Sequence, residues 1–365
     1  MHHLIDSHLQ QKAILYEKKK DVLNILRLLI SGTYLSAFYI SGLSHSVSGM
    51  AATYTMPLAI ILYILFLTPL TIILFPISFR RDYVIEKRFG LSSQSFKSWF
   101  FDQVKSFILG FILGYPLILL LFFLFTHTPR YWWIFGVLGM FLFQLVITIL
   151  FPVLIFPIFF KQKPIRDEEL IQRINMLMDS AHMKIEGIYS FNLSLKTKKE
   201  NAVLAGLWKT RRVLLADTLL KNRNIEEIIV VLAHEIGHHL KRHICKLSLL
   251  GTAASFILFF AVNKVMILFP GFPENFQETL SLFPLFILIS GILSFPIKMI
   301  INAYARLKER EADFVAIELT KNKDAFIGLM AGLANSNLLV AYPKKLKIIL
   351  SYSHPSIGQR IELAQ

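Results

Sequence analysis

Two histidines and a glutamate near the middle of the chain have the spacing of a metal-dependent hydrolytic site. The segment His234-Glu235-Ile236-Gly237-His238 follows a predicted helix start near Asn224, where Glu227 offers a capping box. Histidines four positions apart on a helix project from one face, about 6 Å apart, so both can bind one Zn²⁺. Glu235 is rotated about 100° from His234 and can act on a water without binding the metal itself.

The chemistry that these residues allow is attack of water on a carbonyl group. Zinc lowers the pKa of a bound water toward about 7, and a carboxylate such as Glu235 can then take its proton. The same pattern also arises by chance in helices that bind no metal. His239 and His243 repeat the spacing, but Leu240 stands where the base would be, so we interpret them as structural or rim histidines.

A catalytic zinc keeps three protein ligands and an open position, so a third ligand must come from elsewhere in the chain. The best candidate segment is residues 305–313, in which Glu309 and Asp313 share a helical face. Glu309 is predicted to bind the metal, and Asp313 to orient a ligand imidazole through its other nitrogen. Glu311 points to the far side. The alternative is a solvated, charged face of a helix beside the membrane.

The composition of the chain indicates which class of fold positions these residues. Of 365 residues, 55% are hydrophobic, 13% aromatic and only 17% charged, which excludes a disordered, coiled-coil or ordinary soluble protein. A bilayer-spanning helix needs about 20 apolar residues. Six stretches meet this requirement, and they are residues 22–44, 54–79, 105–126, 132–160, 247–269 and 281–301.

The charge pattern predicts the orientation of these spans. The net charge is +15, and Lys and Arg are concentrated in the N-terminus, residues 80–105, residues 161–246 and everything after 302. By the positive-inside rule these four segments, and both termini, lie in the cytoplasm. We therefore assign the basic charge to a lipid bilayer partner and expect no nucleic acid. With one cysteine, Cys245, no intramolecular disulfide can form.

Four regions follow along the chain. We expect an N-terminal region of four spans at residues 1–160 and a catalytic region containing the histidine helix at residues 161–246. Two further spans follow at residues 247–302, and a C-terminal helical segment follows at residues 303–365. The second region reads as mixed α/β, with a helix at 166–180 and strands at 187–191, 202–207 and 213–216. The predicted fold is a multi-span α-helical membrane protein with a small α/β zinc-metalloprotease domain facing the cytosol.

Several motifs together resemble the integral-membrane type I CAAX prenyl endopeptidases, which are zinc metallopeptidases of the gluzincin type. The resemblance runs over nearly all of the chain after about residue 20. Besides the histidine motif and the Glu309 segment, it rests on Tyr83 to Ser92, Trp99, Asp102, Asn201-Ala202, Arg211 to Leu220, Ser353-His354-Pro355 and Arg360. The eukaryotic members have seven spans, whereas six are expected here.

The resemblance implies a role for each matching residue. It implies one Zn²⁺ per chain on His234, His238 and Glu309, with Glu235 as general base and acid. It also implies that Asn201 and Ala202 bind the substrate backbone and that Asp313 supports the metal ligands. His354 would stabilise the oxyanion. Arg360 is expected either to anchor the C-terminal segment or to touch substrate.

The function implied is hydrolysis of peptide bonds near the cytosolic membrane face, with C-terminal processing of prenylated CAAX proteins as the family activity. The substrate would then be a peptide or protein associated with the membrane. A protease that degrades misfolded membrane proteins is the alternative within enzymes. A zinc transporter or a non-catalytic zinc-binding scaffold is a further alternative, although ionisable residues within the predicted spans are sparse.

Overall fold

The computed structural model describes residues 2–206, 211–273 and 275–365. Within these ranges, six helices are long and apolar enough to cross a membrane, as predicted. They are α1 (Ser7–Ile40), α3 (Met56–Arg88), α4 (Phe96–His127), α5 (Trp132–Phe159), α9 (His243–Met266) and α11 (Phe283–Thr320), and the short helix α2 (Leu43–Ala51) joins α1 to α3. The fold class of a multi-span helical membrane protein is confirmed.

Two of these helices extend well beyond the apolar stretch that predicted them. Helix α1 begins at Ser7 because the Asp6 side chain accepts hydrogen bonds from the backbone N–H groups of His8 and Leu9. Helix α11 continues past its apolar part into the charged segment that contains Glu309. Hydrophobicity predicts where a helix crosses the bilayer, whereas capping and packing decide where it begins and ends.

A four-stranded sheet follows the fourth long helix. Its strands are β1 (Gln162–Pro164), β2 (Gly187–Phe191), β3 (Ala202–Ala205) and β4 (Arg212–Ala216), in the spatial order β1-β2-β4-β3. Strand β4 runs parallel to β2 and antiparallel to β3, so β3 forms an edge of the sheet. The prediction for β2 is confirmed, and β3 is shorter than predicted; Leu207, which we had placed in it, lies outside the described residues.

The remaining helices pack around this sheet and beside the long helices. They are α6 (Glu168–Ser180), α7 (Asp217–Asn222), α8 (Ile225–Leu240), α10 (Phe276–Ser281), α12 (Lys323–Ser336), α13 (Lys345–Ser351) and α14 (Ile357–Ala364). The predicted helix at 166–180 begins two residues later than expected because the Asp167 side chain caps it by accepting from the Leu170 N–H.

One hydrophobic core joins the sheet to the C-terminal helices. Val213 and Leu215 of β4, Leu232 of α8, and Phe326 and Leu329 of α12 are all buried in it. The core therefore combines residues from the regions 161–246 and 303–365, which are far apart in the sequence. Helix α11 also runs without interruption across residue 302, so a single rigid element connects the apolar spans to this core.

Candidate active site

Helix α8 carries the histidine motif, and its start agrees with the prediction. The Asn224 side chain accepts from the Glu227 N–H, and the Glu227 side chain accepts in turn from the Asn224 N–H. Because the helix starts at this cap and continues without a break, His234 and His238 lie on one face of it, with their Nε2 atoms 3.1 Å apart. Two ring nitrogens from neighbouring turns thus converge on one point.

Glu309 of α11 approaches the same point because the two helices pack very closely. Gly237 lies in the histidine motif, and a Cβ on it would come within 3.1 Å of the Ala312 backbone. The absence of a side chain here therefore allows the helix axes to approach. As a result, the Glu309 oxygens lie 3.4 Å from the Nε2 atoms of His234 and His238.

The three side chains fit a metal ion by geometry and by donor chemistry. Their ligand atoms all lie within 4.8 Å of one another, and the shortest separations are 3.1, 3.4 and 3.4 Å. Zinc bonds of about 2.0–2.1 Å in a tetrahedron place neighbouring ligands about 3.3 Å apart. Oε2 of Glu309 is buried, with His354 Nδ1 2.8 Å and His234 Nε2 3.4 Å away from it. The cluster thus has the shape and the carboxylate charge of a cation site.

Asp313 and Arg360 lie directly behind His234. The fully buried Asp313 carboxylate is 2.8 Å from His234 Nδ1, and Arg360 donates to both of its oxygens. A carboxylate at Nδ1 keeps the proton on that nitrogen and leaves Nε2 directed at Glu309. The Arg360 guanidinium thus holds in place the Asp313 carboxylate, which in turn contacts His234.

The two histidines differ in their affinity for protons. Burial lowers the pKa of His234, but hydrogen bonds to Asp313 and Glu309 outweigh burial and raise it to about 9. Burial, reinforced by the charge on His234, lowers the pKa of His238 to about 4. Without a metal, the cluster therefore holds one proton at neutral pH, on His234, and that proton occupies the place a divalent cation would take.

Glu235 lies between the histidine cluster and the edge strand β3. Burial raises the pKa of its carboxyl above the ordinary range, and a hydrogen bond with the Leu204 backbone partly opposes that effect. The carbonyl oxygen of the same residue, Leu204, accepts from His239 Nε2 at 3.1 Å. His239, interpreted from sequence as structural or rim, thus ties the edge strand to α8. The role of His239 depends on the close packing of β3 against α8, which residue spacing alone does not predict.

The start of the edge strand is held by a buried ion pair that the sequence analysis missed. The Glu200 side chain is fully buried and accepts from Arg223 and Asn222, while its N–H donates to Asn337 Oδ1 at 3.0 Å. The next residue, Asn201, is exposed, and its carbonyl accepts from the Ala216 N–H on β4. Removing one partner of such a pair would leave an uncompensated buried charge, so the pair ties the strand start to α7 and the residue after it.

A cavity of about 180 Å³ joins the strand start to the histidine cluster. Asn201 and Ala202 line it on one side, and His234, Glu235 and Glu309 on another. In an antiparallel ladder, alternate residues face the partner strand. Because Asn201 bonds to β4, the peptide groups of Ala202 and Leu204 face away from it. Those of Leu204 are engaged by α8, which leaves Ala202 facing the cavity.

His354 reaches the site from the C-terminal segment. Its side chain is 63% exposed, and its Nδ1 lies 2.8 Å from Glu309 Oε2. Arg306 positions this segment by donating to the carbonyl oxygens of Ile348 and Tyr352. The residues expected to bind the metal, the substrate or the oxyanion, with Asp313 and Arg360, therefore lie in or directly around one cavity, although they come from four separate parts of the chain. Trp99 and Asp102, which also carry the family resemblance, do not line it, since Trp99 packs on Phe79 and Asp102 pairs with Lys196.

Two family models match nearly the whole chain. Residues 164–365 match the model of peptidase family M48, and residues 1–161 match the CAAX prenyl protease N-terminal model, which is described as five membrane helices. Within residues 2–161, the structure has four of the six candidate spans together with the short helix α2.

Relatives are similar over most of the chain. An uncharacterized metalloprotease, YhfN, from Bacillus subtilis is 30% identical over 78% of this chain and 68% of its own length. CAAX prenyl protease 1 from Saccharomyces cerevisiae is 27% identical over 80% of this chain and 68% of its own. The crystal structure of Ste24p from S. mikatae has the same fold, with a TM-score of 0.87 at 24% identity, over 100% of this chain and 90% of that one. The chain belongs to peptidase family M48 and is a membrane-spanning zinc metalloendopeptidase.

Proposed function

We propose that one zinc ion is held by His234, His238 and Glu309, and that the enzyme hydrolyses peptide bonds beside the membrane surface. The observation that carries this proposal is the convergence of one ligand atom from each of the three side chains, all within 4.8 Å of one another, with the two histidine Nε2 atoms 3.1 Å apart and each of them 3.4 Å from one of the two Glu309 oxygens. Zinc in such a site would polarise the scissile carbonyl and acidify water. Asp313 and Arg360 would keep His234 in the orientation that binding requires.

Glu235 is the group that we assign to proton transfer. Its carboxyl lies in the buried region next to the cluster, where it would accept a proton from the attacking water and pass it to the leaving amine. A raised pKa makes the carboxylate a stronger base than an exposed one, so it takes the proton of water more readily, and the leaving amine, which is more basic still, can then receive that proton. The same residue thereby serves as base and then as acid.

Substrate would bind as an extended strand beside β3. The N–H and C=O of Ala202 face the cavity, and Asn201 is exposed next to it, so both can hold a peptide backbone. Within β3 as the structure describes it, the Leu204 groups are engaged by Glu235 and His239, which leaves Ala202 as the residue that offers both groups. The rest of the binding energy must then come from side-chain pockets or from a membrane anchor.

The opposite wall of the cavity favours an apolar side chain next to the scissile bond. It is formed by Val230, Val231, Leu329, Met330 and Leu333. Burial of apolar surface against such a wall contributes about 25 cal/mol per Å². Aliphatic residues near the cleavage site are therefore expected to be preferred over charged ones.

Prenylated proteins with a C-terminal CAAX sequence are the substrate class that we propose. Two features support it, namely the similarity to CAAX prenyl protease 1 of S. cerevisiae and the position of the cavity where α11 leaves its apolar stretch. A lipid anchor would concentrate such substrates at the membrane beside the cavity. Degradation of misfolded membrane proteins is the alternative activity for the same site.

The deciding experiment compares two peptides of identical sequence, one farnesylated at the CAAX cysteine and one without the lipid. We expect the purified enzyme in detergent to cleave the farnesylated peptide with a kcat/KM at least about tenfold higher, and a chelator to abolish cleavage of both. Equal cleavage of the two peptides would contradict CAAX processing and favour general proteolysis. Cleavage that persists after complete metal removal would contradict the metal site.

His354 is proposed to stabilise the oxyanion that forms during attack. Its Nδ1 contacts Glu309, and its 63% exposure leaves the ring room to turn toward a bound carbonyl. We expect His354→Ala to lower kcat by about 10²- to 10³-fold, since that is the usual effect of losing one oxyanion donor. Steady-state kinetics would show little change in KM, and metal analysis would show little change in zinc content. A loss of zinc instead would mean that His354 supports the metal site.

Binding of the metal should release protons in a definite number. At pH 6 His234, with a pKa of about 9, is protonated, whereas His238, with a pKa of about 4, is neutral. Zinc needs both in the neutral form, so we expect about one proton to be released and the affinity to weaken as pH falls. Titration calorimetry of the apoenzyme at pH 6, in buffers of different ionisation enthalpy, measures this number. Release of two protons, or of none, would contradict the proposed protonation states.

Both termini, with the catalytic cavity, are proposed to face the cytoplasm. The basis is the excess of Lys and Arg in the N-terminus, residues 80–105, residues 161–246 and the segment after 302. A tag at either terminus should be protected from a membrane-impermeant reagent added outside intact cells, and a tag next to Gly271 should react. The reverse labelling pattern would require the opposite orientation.

A further inference from the structure

His243 lies directly behind the candidate ligand His238 and is itself backed by a carboxylate. Its Nδ1 is 3.0 Å from Nδ1 of His238, and its Nε2 is 3.0 Å from Oε2 of Glu311. The His243 side chain is only 1% exposed, and Lys308 pairs with the other Glu311 oxygen. From sequence, His243 is predicted to be a structural or rim histidine, and Glu311 to lie on the far side of its helix from Glu309 and Asp313.

The chemistry of these groups determines where each proton lies. An ionised carboxylate only accepts hydrogen bonds, so Nε2 of His243 carries a proton and donates to Glu311. In a neutral imidazole the other nitrogen is then an acceptor. His238 must therefore donate from Nδ1, which leaves its Nε2 unprotonated and facing Glu309. One carboxylate thus selects the tautomer of His238 through an intervening histidine.

The backbone between the two helices makes this contact possible. On a continuous helix His243 would be rotated about 140° from His238, five positions earlier, and could not reach it. Helix α8 ends at Leu240, and Arg242 has a left-handed conformation with φ 53° before α9 begins at His243. Residues other than glycine seldom adopt this conformation, and where they do, the surrounding structure holds them there. The break redirects the chain so that His243 turns back toward His238.

Both candidate histidine ligands are then backed by a carboxylate from one helix. Asp313 contacts His234 directly, whereas Glu311 reaches His238 through His243. We propose that His243 and Glu311 are positioning residues, which hold His238 with its Nε2 free for the metal. This inference rests on the proposed zinc site. It adds to that site a second carboxylate, Glu311, which acts on His238 through His243 as Asp313 acts on His234 directly.

The test measures zinc release from the purified full-length enzyme to a chelator, together with zinc affinity, so it does not depend on activity. We expect His243→Leu to weaken zinc binding and to speed its release by about 10- to 100-fold, the usual effect of losing a partner behind a ligand. His243→Asn offers an amide oxygen near the Nδ1 position and should restore most of the wild-type retention. Ile244→Ala, at an exposed neighbour on the same helix turn, serves as the matched control and should leave release unchanged.

The outcomes separate a positioning role from a structural one. If His243→Asn is as defective as His243→Leu, or if His243→Leu retains zinc as the wild type does, the proposal is overturned. Should His243→Leu fail to fold, Glu311→Ala replaces it, since Glu311 is 40% exposed, and about tenfold faster release is expected. Unchanged release in that variant would equally overturn the proposal. A wild-type enzyme that binds no zinc would instead contradict the proposed zinc site.

Discussion

Replacing Glu235 by Gln is expected to reduce peptide cleavage by about 10²- to 10⁴-fold while leaving the metal content unchanged. Gln has the size of Glu and keeps an oxygen for hydrogen bonding, but it cannot accept a proton from water at neutral pH. The carboxyl is not among the three side chains whose ligand atoms converge. The loss should therefore appear in kcat, measured with a CAAX peptide, and not in zinc analysis.

A control for this variant lies on the same helix. Glu226 is in the first turn of α8, where it pairs with Arg173 at the surface and is far from the cavity. Glu226→Gln should retain close to full activity, because an exposed ion pair contributes little. If Glu235→Gln were as active as Glu226→Gln, proton transfer would have to be assigned to another group.

Replacing Glu309 by Ala is expected to remove most of the bound zinc and, with it, all measurable cleavage. The Glu309 carboxylate supplies the only negative charge among the three convergent groups, and its oxygens lie 3.4 Å from both histidine Nε2 atoms. Two neutral imidazoles alone bind zinc far more weakly than a complete set of three ligands. Metal analysis after dialysis, compared with the wild type, measures the effect.

The matched control is a glutamate two turns further along the same helix. Glu318 is exposed on α11, so Glu318→Ala should keep full zinc stoichiometry and full activity. Full zinc in Glu309→Ala would move the third ligand elsewhere. A collapse of thermal stability in the apo forms of both variants would indicate that α11 itself had been disrupted.

Much of the architecture could be predicted because it depends on local sequence. The six apolar stretches predicted the six long helices, since backbone polar groups in a bilayer must be satisfied within the helix. The capping box at Asn224 predicted the start of α8, and helical periodicity placed His234 and His238 on one face. Both signals act over a few residues, so they can be read without knowledge of the fold.

Other features could not be predicted because they depend on contacts between distant segments. On a continuous helix His243 could not reach His238, five positions earlier, and it is the left-handed residue Arg242 that brings their rings together. The role of His239 depends on a sheet edge that lies against α8. Neither the break nor the strand position has a signature in residue spacing, because each results from how the helices and the sheet pack in three dimensions.

The sequence alone therefore determined the inventory of the site, namely a helix with two histidines and a glutamate, a second helix with Glu309 and Asp313, and a setting in the membrane. Only the tertiary structure decided how these parts meet. Gly237 permits the close approach of α8 and α11 that brings Glu309 to the histidines, and the turn at Arg242 gives His238 its partner. The physical reason is that helical periodicity determines which face of its own helix a residue occupies. The packing of the helices against each other determines which residues of another helix that face contacts.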